Sequence, residues 1–147
     1  VHWNDPTVME LSGCSNEENK PNALILGYPV ISADFSFTHA GSIVNNSGLS
    51  EVEFTEEKRN YFSCEKNVGP HTPPTFIVHT RKDQCVPVNN ALVFTNALCQ
   101  NNIDFELHIF QNGPHGLSVA DRRTTWIDKD FAKWTDMASS WLWNRWE

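Results

Sequence analysis

A chain of 147 residues with 39% hydrophobic and 20% charged residues has the composition of one globular domain with a core of its own. Eleven Lys and Arg against 18 Asp and Glu leave a formal charge of −7, a field that opposes a nonspecific hold on a polyphosphate backbone, so nucleic acid is not an expected partner. No run of about 18 uncharged apolar residues occurs, and VHWNDPTVME lacks a basic stretch followed by an apolar one, so neither membrane association nor a signal peptide is expected and the expected location is cytoplasmic.

Residues 1–22 read as the end of one element followed by a polar loop, SGCSNEENKPN. Ala23–Tyr28 (ALILGY), closed by Pro29, is a continuous apolar run of the kind buried on both faces of a parallel sheet. Residues 31–70 read as a surface excursion with one helix, Ser50–Phe62, anchored by Val52, Phe54 and Tyr61. Pro73-Pro74 then stops any helix, and Thr75–His79 (TFIVH) is a β-branched and aromatic strand.

The spacing of Ala91, Phe94 and Leu98 predicts a helix over 88–100, after Pro87. Phe105–Phe110 (FELHIF) is a third strand, broken by Asn112-Gly113-Pro114. Ile127, Phe131, Trp134, Ala138 and Trp141 repeat at helical spacing and predict a last helix over 126–146, with Trp143 and Trp146 as its exposed or interface residues. Cys14, Cys64, Cys85 and Cys99 have no CxxC or zinc-ligand spacing and read as unpaired, buried or half-buried thiols.

Strand, helix, strand, helix is an α/β pattern, with about three parallel strands joined by helical crossovers. Ligands of such sheets sit beyond the carboxyl ends of the strands. An acid, Asp83, follows the second strand and an imidazole, His115, follows the third, in the order needed for a carboxylate to hold a histidine in the tautomer that accepts a proton from a nucleophile. His71, His79 and His108 lack metal-ligand spacing, Asp34 reads as a loop residue near the functional end of the sheet, and Arg122-Arg123 read as solvated.

PNALILGYPVIS, HTPPTFIVHTRKDQCVPVNNALVF and FELHIFQNGPHGLSVAD resemble the C-terminal half of α/β-hydrolase esterases of the acetyl-xylan-esterase-like and dienelactone-hydrolase-like group. The resemblance runs from about residue 2 and weakens through 35–68, with D-x-x-V-P and G-P-H-G as its specific segments. It implies one partial α/β-hydrolase domain over 1–147, Asp83 as triad acid, His115 as general base, no cofactor, and a small-molecule ester as substrate.

The nucleophile elbow G-x-S-x-G of such hydrolases is absent: no two of the seven glycines stand four apart, and neither Ser12, Ser15, Ser32 nor Cys85 has the setting of a replacement. The chain alone is therefore expected to be inactive, with its nucleophile and oxyanion hole in a separate N-terminal half. Two other readings stand beside this one: a prolyl-oligopeptidase-type peptidase portion with the same Asp-then-His order, and a noncatalytic module that binds a partner chain. In each, ALILGY at a sheet edge calls for pairing with the N-terminal half or with a second copy of the chain.

Overall fold

The computed structural model describes residues 1–15 and 17–146, with Trp146 described by its backbone alone. Three parallel strands, β1 (Leu24–Gly27), β2 (Thr75–Thr80) and β3 (Phe105–Phe110), form one sheet in the order β1-β2-β3, with Leu24 opposite Thr75 and Thr75 opposite Phe105. Every residue of β2 is buried, as its apolar run requires of a central strand covered on both faces.

The helices are α1 (Pro6–Ser12), α2 (Ala40–Ser47), α3 (Glu56–Phe62), α4 (Asn89–Gln100) and α5 (Trp134–Trp146). Successive side chains of a strand point to opposite faces, and β2 divides its residues accordingly. Ile77 packs with Ala91, Phe94 and Leu98 of α4 on one face; Phe76 and Val78 pack with Phe131, Ala138 and Trp141 on the other. A separate small cluster of Ala33, Ile43 and Phe54 lies within residues 31–70.

Three expectations need correction. The helix expected over 50–62 is a 3₁₀ turn, Glu51–Glu53, followed by α3, because Thr55 in extended conformation accepts from the Lys58 N–H and starts a new helix there. The last helix does not begin at Trp126: Asp128 Oδ1 accepts from the backbone N–H groups of Asp130 and Phe131, and helical structure starts in a 3₁₀ turn at Phe131. Trp126 and Ile127 are exposed, as is Trp143, while the Trp146 side chain lies outside the described residues. The four cysteines are unpaired, but Cys85 and Cys99 are exposed rather than buried. Among the described residues no helix is long and apolar enough to cross a membrane.

Candidate active site

The carboxyl ends of β2 and β3 carry two loops that meet. The first, 81–88, is folded around Asp83, whose Oδ1 accepts from the backbone N–H groups of Cys85 (2.9 Å) and Val86 (2.8 Å). This side chain is fully buried, and its second oxygen, Oδ2, accepts from His115 Nδ1 at 2.7 Å. Two fixed backbone donors on one oxygen orient the carboxylate so that the other faces the imidazole.

The His115 loop is held by Gly113, whose carbonyl accepts from the Thr80 hydroxyl at 2.8 Å. Gly113 has φ +129°, and a Cβ there would stand 2.5 Å from Leu117 Cδ1 and 3.1 Å from Thr80 Cγ2. The position therefore needs glycine twice over, for its dihedral and for its close packing.

His115 is 34% exposed at its side chain. The Nδ1–H bond to Asp83 selects the tautomer whose Nε2 carries a lone pair. Nε2 has no hydrogen-bond partner among the described residues, so the ring is fixed at one nitrogen and free to take a proton at the other. Two cavities of about 580 and 480 Å³ flank it, both bordered by Pro114, His115 and Trp126.

Sequence reasoning missed Tyr28, the residue after β1. Its ring meets His115 edge to face, with centroids 4.9 Å apart, and its hydroxyl oxygen accepts from the Ser118 N–H at 3.2 Å. Tyr28 has φ +40°, a conformation that costs a bulky residue energy and that recurs at functional sites.

The other candidates lie elsewhere. His79 is wholly buried in β2; its Nδ1 accepts from the Thr80 N–H at 2.9 Å, and its Nε2 is buried without a partner. Burial lowers its pKa below the ordinary histidine value. His71 Nε2 contacts the Val1 carbonyl at 2.9 Å, and His108 Nε2 donates to Glu106 at 2.6 Å. No group of three side chains suited to hold a metal occurs among the described residues.

Asp34 borders a different cavity, of about 370 Å³, with Arg59 and Lys66. Hydrogen bonds from Ser36, the side chain first, hold its carboxyl below the usual range. Arg123, expected to be free, forms a two-point ion pair with Asp121. Ser32 donates to Glu65 at 2.7 Å, Ser12 donates to the Met9 carbonyl, and Ser15 donates to Glu18, so each hydroxyl is committed to a local bond.

Residues 16–139 match the Prolyl oligopeptidase family. The chain is 39% identical over 135 residues to endo-1,4-beta-xylanase B of Butyrivibrio fibrisolvens, covering 92% of this chain and 19% of that protein. It is 33% identical over 119 residues to an acetylxylan esterase of Xylanibacter ruminicola, covering 80% of this chain and 24% of that protein.

Among solved structures, an acetyl ester-xyloside bifunctional hydrolase from Caldicellulosiruptor lactoaceticus superposes with a TM-score of 0.72 at 33% identity, covering 88% of this chain and 48% of that one. A carboxylesterase from Lactobacillus plantarum gives 0.74 at 27% identity, covering 96% and 50%. The chain thus spans about a fifth to a quarter of these curated relatives and about half of these solved hydrolases.

Proposed function

The chain belongs to the prolyl oligopeptidase family and folds as the C-terminal portion of an α/β-hydrolase, and from that premise we propose that it is the acid–base portion of a serine-type carboxylic ester hydrolase acting on short acyl esters, acetylated sugars among them. The observation that carries this reading is the 2.7 Å bond from His115 Nδ1–H to Asp83 Oδ2 at the carboxyl ends of two adjacent parallel strands. In the reaction, His115 Nε2 removes the proton of a serine hydroxyl as that oxygen attacks the ester carbonyl. It then delivers the proton to the alkoxide that departs, and repeats both steps with water to release the acid. Asp83 keeps the imidazole in the proton-accepting tautomer and stabilises its charged form. No cofactor enters.

The serine comes from outside these residues, since the sequence holds no G-x-S-x-G. The nucleophile-bearing segment seats beside β1, whose outer edge pairs with no other strand among the described residues. The esterase and xylan-hydrolase names of the relatives favour an ester over a prolyl peptide bond as the substrate.

The test is turnover of p-nitrophenyl acetate by the chain alone and by the chain joined to the polypeptide encoded in frame upstream of Val1. The chain alone is expected to give no rate above its His115→Ala variant, and the joined protein a rate that His115→Ala abolishes. An esterase indifferent to His115→Ala refutes the assignment, and faster cleavage of a prolyl p-nitroanilide moves it to a peptidase.

A further inference from the structure

We propose that Trp126 is the platform on which the alcohol part of the ester, a pyranose ring, is held beside His115; this rests on the ester-hydrolase reading above. Trp126 is 49% exposed and takes no part in the core cluster formed around Phe131 and Trp141. A large aromatic left out of the core forgoes burial that would stabilise the fold, so its position calls for another explanation.

That position borders both cavities flanking His115. It is also fixed. The Thr124 hydroxyl donates to the Trp126 carbonyl at 2.8 Å, and Asp128 N–H donates to the Ala120 carbonyl at 2.9 Å, closing the loop on either side of the indole. A rigid ring of this kind offers contact area at little entropic cost.

The chemistry of the larger cavity narrows the ligand. Besides Trp126 and His115 it is bordered by Lys82, Gln84 and Asn112, which supply ammonium and amide donors and amide acceptors. A long acyl chain would be better matched by aliphatic walls, and an acidic ligand by more than one cation. A flat aromatic face with amides at its rim matches a ring that shows C–H groups on one face and hydroxyls around its edge. Its place next to His115 is where the departing alcohol receives its proton.

The test uses xylotriose and saturation-transfer NMR on the 147-residue chain, with millimolar sugar so that weak binding registers. Saturation is expected to reach the ring C–H protons in the wild type, to persist in Trp126→Phe and in Trp143→Ala, and to be about tenfold weaker in Trp126→Ala, the order expected for one aromatic contact. The circular dichroism of Trp126→Ala, whose side chain is half exposed, should match the wild type. Xylotriose carries no ester, so the outcome is independent of hydrolysis. No transfer in the wild type, or equal transfer in Trp126→Ala, overturns the platform and leaves the role of His115 standing.

Discussion

Tyr28 and His115 stand edge to face, their ring planes at 74°, with Tyr28 on the residue after β1 and His115 on the loop after β3. The ring of Tyr28 thus reaches past β2 and braces the imidazole on a side that Asp83 does not touch, while its hydroxyl oxygen accepts from Ser118 N–H in the same loop. Tyr28→Ala is expected to lower kcat of the nucleophile-complete enzyme about fivefold with little change in KM, the magnitude of one lost aromatic contact. Tyr28→Phe keeps the ring and should recover most of the rate. Equal losses in the two variants would place the effect in the hydroxyl instead.

Asp83 divides its oxygens between the loop and the histidine, and Asp83→Asn separates the two jobs. The amide oxygen can still accept from Cys85 and Val86, but the amide N–H₂ then faces Nδ1 and favours the opposite tautomer. Nitrogen-resolved NMR of the chain should show the His115 proton move from Nδ1 to Nε2, with the chain still folded. The joined enzyme should lose roughly 10³- to 10⁴-fold in kcat, as a wrong tautomer does in serine hydrolases. An unchanged tautomer would refute this role for the carboxylate.

His79 gives stability a pH dependence. Burial depresses its folded pKa below the ordinary value of 6.5, so below that value the unfolded chain binds a proton that the folded chain refuses. Stability should therefore be complete above about pH 6.5 and fall as the pH drops below it toward the folded pKa. Urea midpoints measured between pH 7.5 and 5.5 should fall less in His79→Gln than in the wild type. The comparison removes the contribution of His2, which burial also lowers. Parallel curves for the two proteins would exclude His79.

The free edge of β1 should show itself in assembly. Ile25 is 42% exposed there, and β1 pairs only with β2. An apolar edge strand is a template for another strand. Sedimentation at micromolar concentration should find the chain paired, with a nucleophile-bearing half or with a second copy, and Ile25→Lys should weaken the pairing. A cooperatively melting monomer would show that the edge needs no cover.

The parts legible in sequence were those whose cause is local. TFIVH and FELHIF are strands because their residues suit a pleated, covered surface, and Ala91, Phe94 and Leu98 all face the core as their spacing requires. The meeting of Asp83 with His115 followed from the rule that puts the ends of parallel strands together. What escaped depends on distant partners or on competition within a turn. α2, built from AGSIVNNS, has poor helix formers and stands on the His39 cap and the burial of Ile43. Trp126 fits the helical spacing, but the Asp128 side chain takes the backbone donors further on and sets the start of the helix. Tyr28 reveals nothing in one dimension, because the ring it meets is 87 positions away.

Residues 31 and 33 are fastened to 63 and 64: Cys64 N–H donates to the Ile31 carbonyl at 2.9 Å, and Ala33 N–H donates to Ser63 Oγ at 3.0 Å. Asn90, at the start of α4, clasps the same neck by accepting from Ile31 and Ser32. The stretch from 34 to 62 therefore leaves and re-enters the domain through one closed gate. Its length is decoupled from the sheet: doubling a loop whose ends are already joined costs only about 0.6 kcal/mol in closure entropy. Insertions, deletions or a whole grafted subdomain can be exchanged there while β1 keeps its register against β2, which makes this neck the place where descendants of the fold can change what covers the His115 end without rebuilding the strands beneath it.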